Sequence, residues 1–234
     1  MGGFANNAPI VTDGLVFYVD AGNSKSYPGS GGTWSDLVGG NDGTFSATPT
    51  TGSTNGGSIV FDGVDDMCTF PGAASPVTNA ISVCLWYNGH PTVNNQSFTF
   101  RSEHSSDSNH REFSAHLPWN NGNIYWDCGN NGGNTYDRIF KESSNVHRGW
   151  NYWVFWKDCT LSSTNRMRIY LNGSLWHQGL GGARTIGAAT AFTIGGWSGG
   201  NYDNGTFSNL SIYNRALTED EILQNYNALK NRFV

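Results

Sequence analysis

The sequence predicts an all-β protein, two antiparallel sheets packed as a β-sandwich, with one short helix at the C-terminus. Nine Trp, 10 Tyr and 13 Phe stand beside 31 Gly in a chain of 234 residues, of which only 13% are charged. Aromatic side chains fit a pleated surface, and glycine supplies the positive φ that tight turns need. Strand-like runs separated by turn signals recur about every 8–12 residues, the spacing of a sandwich and not of strand–helix–strand units. Long amphipathic helices are missing until the end of the chain.

Each element follows from its pattern. Residues 14–20 (GLVFYVD) form a first strand, and residues 21–45 a long connection rich in Gly, Asn and Ser that Trp34 and Leu37 anchor. Residues 58–61 and 67–70 are strands around the turn Asp62-Gly63-Val64-Asp65-Asp66. Residues 80–88 make the clearest central strand: Ile81, Val83, Leu85 and Tyr87 face one way, Ser82, Cys84, Trp86 and Asn88 the other. A meander follows in residues 96–101, 112–117, 123–128 and 138–141, then strands in 150–158 and 167–171. Asn172-Gly173 joins the last of these to Ser174-Leu175-Trp176-His177, because a type I′ turn needs positive φ at both central residues. In residues 207–213, Phe207, Asn209, Ser211 and Tyr213 alternate with Ser208, Leu210 and Ile212. Thr218 then opens the helix through a capping box with Glu221, flanked by the staple Leu217 and Ile222, and Ile222, Leu223, Tyr226 and Leu229 form its apolar face.

One domain accounts for residues 13–234, preceded by a polar arm at 1–12 that is either disordered or docked on a partner. The net charge is −5, and no cluster of Lys or Arg supplies the footprint that neutralises phosphates, which excludes nucleic acid as a partner. No apolar stretch reaches the roughly 20 residues that span a bilayer, so membrane insertion is not expected. Residues 1–10 lack the pattern of a secretory signal, and Met1-Gly2 begins a myristoylation signal that Asn6 breaks. Cys68, Cys84, Cys128 and Cys159 have no CxxC spacing. Free buried thiols are expected, with a cross-strand Cys68–Cys84 bridge as the one disulfide to test.

Five fragments follow one another along the chain: GSIVFDGVDDMCTF, ISVCLWYN, GWNYWVFWKD with MRIYLNGSLWHQG, FTIGGW, and NLSIYNRALTEDEI. In this order they resemble the laminin G-like (LamG) branch of the concanavalin A-like lectin/glucanase superfamily, with its FDG strand-turn-strand, its T-I-S-x-W strand, its Y-x-N-G hairpin and its closing strands and helix. The resemblance covers nearly everything from Asp13 onward. It implies a concanavalin A-like jelly roll and a lectin-like binding surface. The opening DGLVFYVDAGNSKSYPGSGGTWSDL and the ending YNRALTEDEILQNYNALKNRF resemble the version found in structural proteins of tailed bacteriophages. That implies a virion protein assembled in the host cytoplasm, decorating the head or mounted on tail or fibre. Its partners would be other virion proteins or copies of itself, with adhesion to host surface glycans. A stand-alone lectin-like carbohydrate-binding module is the alternative, and a glycoside hydrolase a remote one.

No reactive constellation is present in the sequence. Glucanases of this superfamily place acid and nucleophile as Glu-x-Asp-x-x-Glu on one strand, with carboxylates about 5–5.5 Å apart, and this chain has no such run. Nucleophile-elbow, P-loop and dinucleotide-binding patterns are missing too; an enzyme is not expected. Asp62, Asp65 and Asp66 are the candidate ligands for a structural calcium, against the plainer reading that Asp62 and Gly63 only make the turn. Glu103, His104, Asp107, His110, Glu112 and His116 resemble part of the calcium region of the related pentraxins. The matching second cluster, near residues 195–198, has no carboxylate.

Aromatic residues line both sides of the expected sheet, so one side is core and the other a platform on which sugar rings can stack. Trp86 stands on the side away from the aliphatic set. Loop candidates are Trp119, Asn120 and Asn121, and Trp197, Tyr202, Asp203 and Asn204. The competing reading makes each Trp an ordinary sandwich anchor.

Overall fold

The computed structural model describes residues 8–73, 77–90, 97–104, 110–130, 135–162, 165–197 and 199–234. Strands form where apolar and polar residues alternate. They are β1 (Leu15–Asp20), β2 (Thr33–Trp34), β3 (Gly43–Phe45), β4 (Thr50–Gly52), β5 (Ser58–Val60), β6 (Cys68–Pro71), β7 (Ala80–Gly89) and β8 (Phe100–His104), followed by β9 (Phe113–His116), β10 (Asn123–Cys128), β11 (Asp137–Glu142), β12 (Gly149–Asp158), β13 (Met167–Leu171), β14 (Ser174–Gly179), β15 (Ala189–Ile194) and β16 (Thr206–Tyr213). One helix, α1 (Glu219–Leu229), follows. The first sheet runs β14-β13-β12-β7-β16-β5-β4 with β1 also on β16, and the second runs β11-β10-β9-β8-β15-β6-β3-β2. All strand pairs are antiparallel.

The main core lies between the sheets. Ile81, Val83, Leu85 and Tyr87 of β7 enter it beside Trp153 and Phe155 of β12 and Leu210 and Ile212 of β16, and Phe70, Phe100, Phe113, Trp126 and Phe192 face them from the second sheet. Phe100 meets Phe155 edge-on at 5.4 Å, one of the contacts that join the layers.

The reverse of the first sheet is a second apolar cluster of Cys84, Trp86, Tyr152, Val154, Trp156, Tyr170 and Tyr213, closed by Leu217 and Ile222. The helix and the chain end cover it. Trp86 stacks on Phe233 at 4.2 Å and on Tyr226 at 5.7 Å, and is fully buried. The expected sugar platform at Trp86 is therefore corrected: the terminal helix takes that face, since an open aromatic row beside an amphipathic helix buries more apolar area when the two close on each other. Trp156 is buried the same way, its Nε1 donating to Leu217 O at 2.9 Å.

The described part of the N-terminal arm, residues 8–12, lies on this helix. Val11 N donates to Asn225 Oδ1 at 2.7 Å, Tyr213 Oη donates to Val11 O at 2.8 Å, and Gln224 Nε2 donates to Pro9 O at 2.8 Å. The helix starts as its sequence requires. Thr218 accepts from Glu221 N and Glu221 accepts from Thr218 N, while the Arg215 guanidinium grips the Glu221 carboxylate at 2.7 and 2.8 Å and draws its pKa down to about 2.

The hairpin turn also has the expected geometry, with φ of 52° at Asn172 and 82° at Gly173. The long connection differs from expectation: β2 and β3 pair inside it, and Trp34, fully buried, anchors them against Phe45 and Phe70. Runs of two or three residues are too short to show a period. All four cysteines are free. Cys68 points into the core between the sheets and Cys84 into the cluster behind β7, so the two lie on opposite sides of a sheet. Trp86→Ala is expected to lower the unfolding free energy by roughly 3–5 kcal/mol in urea titrations, as loss of a buried indole should.

Candidate functional site

Among the described residues no helix covers the reverse of the second sheet. Across β9, β10 and β11 the register sets Tyr125 between His116 and Phe140, and Asp127 between Ser114 and Arg138. These side chains stand opposite Ala115, Ile124, Trp126 and Ile139, which are in the core. Arg101 of β8 pairs with Ser114 and extends the row.

On this face three guanidinium groups alternate with four aromatic rings. Arg101 lies over Trp197 at 4.2 Å and Phe98 at 5.2 Å, Arg111 over Phe98 at 5.3 Å and Tyr136 at 4.2 Å, and Arg138 over Tyr136 at 5.0 Å and Tyr125 at 4.7 Å. The charge lies over the electron-rich ring faces. Asp127, with no side-chain exposure, sits beneath and binds Arg111 at 2.9 Å and Arg138 through both carboxylate oxygens. Bonding to Asp127 pushes the Arg138 pKa up. A wholly buried carboxylate is tolerated only when paired in this way.

Above the arginines lies a cavity of about 230 Å³ lined by Phe98, Arg111, His116, Trp119, Tyr125, Tyr136 and Arg138. Trp119 comes from the turn between β9 and β10, which Gly122 N closes on Trp119 O at 2.8 Å. Its ring meets His116 edge-on at 4.5 Å. Asn121 Nδ2 donates to Tyr125 Oη at 2.7 Å, fixing the phenol, and Asn120 is exposed on the same turn. Phe140, 53% exposed, extends the aromatic surface beside Tyr125 at 5.2 Å. The buried His116 donates from Nδ1 to Ser97 O, and burial lowers its pKa to about 4. The imidazole is therefore neutral at pH 7. Together these groups offer stacking faces, fixed cationic donors and a phenol.

The expected residues divide. Trp119 lines the cavity and Asn120 sits on its turn. Trp197 is half-buried at the far end of the arginine–aromatic ladder, while Tyr202 and Asn204 are half-buried in the loop before β16. Asp203 is buried, accepts from Tyr87 Oη at 2.7 Å and from Gly205 N at 2.6 Å, and burial raises its pKa. Its place as a loop ligand is corrected: it satisfies a core tyrosine. Arg111, Tyr125, Tyr136, Arg138 and Phe140 were not singled out from sequence. Alternation in residues 123–128 and 137–142 puts Tyr125, Asp127 and Arg138 on the faces opposite the core residues, but strand register alone brings them together.

Asp62, Asp65 and Asp66 place carboxylate oxygens within 4.8 Å of one another and are, among the described residues, the one group able to hold a metal ion. They supply part of the 6–8 oxygens that calcium takes. Asp62 Oδ1 also accepts from Val64 N at 2.8 Å, the turn-forming role, and burial together with the Asp62 charge raises the Asp66 pKa. Among the described members of the cluster in residues 101–116, no three bring their ligand atoms together. Glu112 is buried and accepts from Gly187 N at 2.7 Å with His104 at 3.4 Å, His116 faces the cavity, and Asp107 lies outside the described residues. A second cavity of about 390 Å³ is lined by glycines and small hydroxyl side chains, with Tyr27 its one ring. No helix among the described residues is long and apolar enough to cross a membrane.

A laminin G family model, described as the concanavalin A-like lectin/glucanases superfamily, matches residues 62–223, more than half of the chain. The protein belongs to that superfamily. No curated protein sequence matches it. Among solved structures it is similar to the binding domain of botulinum neurotoxin DC in complex with SialylT (TM-score 0.68, 13% identity, 93% of this chain and 52% of that one). The same binding domain in complex with rat synaptotagmin II gives a TM-score of 0.66 at 13% identity over 92% and 52% of the two chains. The botulinum neurotoxin serotype D ligand-binding domain in complex with N-acetylneuraminic acid gives 0.65 at 13% identity over 92% and 50%. The chain thus spans about half the length of these structures, and at such identity the likeness shows the fold.

The depressed His116 pKa has a measurable consequence. Because the folded value, about 4, lies below the unfolded value of about 6.5, the unfolded state takes the proton first. Stability is then complete above pH 6.5 and lost as the pH falls towards 4. That difference amounts to about 3 kcal/mol at full extent. Urea unfolding across this range should show a shallower acid loss in His116→Phe than in the wild type.

Proposed function

We propose that this domain is a non-enzymatic carbohydrate-binding module that serves as a structural and adhesion component of a phage virion, on the head or on tail or fibre. The cavity at Trp119 and Tyr125 carries the binding reading: aromatic walls stack a sugar ring while fixed polar groups hold its substituents. Membership of a lectin-containing superfamily supports it, as do structural neighbours solved with SialylT and N-acetylneuraminic acid. Glycoside hydrolysis requires two carboxylates flanking the scissile bond. The cavity lining has none among the described residues, and Asp127 beneath it is committed to two arginines. The virion setting, with other virion proteins or copies of this chain as partners, rests on the phage-like opening and closing segments. A structural calcium at Asp62, Asp65 and Asp66 belongs to the same proposal.

A glycan array run with calcium and with chelator tests ligand class and cation dependence together. Binding by the wild type and a loss of about fivefold or more in Trp119→Ala are expected, in line with removal of a stacking ring worth roughly 1 kcal/mol or more. Chelation is expected to lower the melting temperature and leave the sugar contacts in place. Retention of no glycan in either condition would sink the binding reading, and mass spectrometry of purified particles lacking the chain would sink the virion setting.

A further inference from the structure

Resting on the reading of the cavity as a sugar site, we propose that it selects a terminal sugar ring bearing a carboxylate. Size gives the first argument. At about 230 Å³ the cavity is smaller than the roughly 300–1,000 Å³ of ordinary ligand clefts, so it takes the end of a glycan, not a run of its chain.

Charge gives the second. Two guanidiniums line the cavity and, among the described residues, one carboxylate beneath them, Asp127, pairs with both, which leaves the group with a surplus positive charge. The Arg111 and Arg138 side chains are 15% and 38% exposed while Asp127 has no exposure, so an incoming group meets cations. The protein as a whole carries −5, which repels extended polyanions and makes this a local exception suited to one compact anion.

Unsatisfied bonding gives the third. Asp127 engages Nη2 of Arg111, and the buried Arg111 Nε has no hydrogen-bond partner. A buried donor without a partner is costly, and a carboxylate fits the guanidinium fork that carries it. The rings hold this fork still: Phe98 and Tyr136 flank Arg111, and Tyr136 and Tyr125 flank Arg138. Donors fixed before binding lose little freedom when the ligand arrives. The sugar ring then stacks on Trp119 or Tyr125 while its carboxylate reaches the arginines.

The test uses the whole protein and paired probes: sialyllactose and a glucuronic-acid-terminated oligosaccharide, each beside its carboxylate methyl ester, with lactose and 6-sulfolactose alongside. The expected result is that at least one acid binds about tenfold or more tighter than its own ester, and that Arg111→Gln abolishes the difference. Removing an arginine leaves Asp127 underpaired, so Arg111→Lys is the second variant. It keeps the charge and removes Nε, and is expected to weaken the acid several-fold more than it weakens the ester. Equal binding of acid and ester, or of lactose, overturns the selectivity and leaves a sugar site. Binding of 6-sulfolactose in preference to both acids overturns the carboxylate assignment. Retention of none of the probes, when Trp119-dependent binding is seen for other glycans, overturns this inference alone; absence of all glycan binding overturns the function beneath it.

Discussion

Strand alternation gives every sheet two faces, and a two-layer sandwich buries only one face of each. The treatment of the two remaining faces organises the rest of this molecule. Behind the first sheet stand Trp86, Tyr152, Trp156 and Tyr170, too apolar to leave in water, and the terminal helix with Phe233 closes over them. The capping box at Thr218 and the Arg215–Glu221 pair set where that helix begins, and Asn225 draws residues 9–11 along its flank. Packing takes the aromatic part of this face. The reverse of the second sheet is the face left for the proposed recognition.

That second face is stabilised by different physics. Its buried residues include Arg101, Ser114, His116 and Asp127 beside Phe98, and the arrangement is a ladder in which Arg101, Arg111 and Arg138 interleave with Trp197, Phe98, Tyr136 and Tyr125. Each such contact contributes about 0.5–2 kcal/mol according to its desolvation. Asp127 supplies the countercharge without which two nearby guanidiniums would repel. The consequence is rigidity in long side chains that otherwise carry much rotamer freedom. Rigid cations between rings form a surface that is structural and open at once.

Membership of the concanavalin A-like superfamily accounts for the two sheets and leaves the site to be argued from its residues, because one scaffold carries unrelated functions. The neurotoxin binding domains share the sandwich at 12–14% identity over about half their length. In this chain the site lies in the side-chain content of one outer face, where arginines alternate with aromatic rings.

The sequence by itself determined the features that arise within a few residues: the alternating faces of residues 80–88 and 123–128, the Asn172-Gly173 turn and the capped helix. Backbone dihedrals and nearest-neighbour bonds decide these, so a local pattern suffices. It left Trp86 and Trp119 as equals, two indoles away from the obvious aliphatic core. Only the tertiary structure separated them, placing Tyr226 and Phe233 over the first and leaving the second half-open above two arginines. The candidate face was hidden for the same reason. Arg111 comes from the loop before β9, Asp127 from β10 and Arg138 from β11, and whether they meet depends on register and on which strands are neighbours. Those are fixed by the summed burial of the whole sandwich and by no short stretch of it.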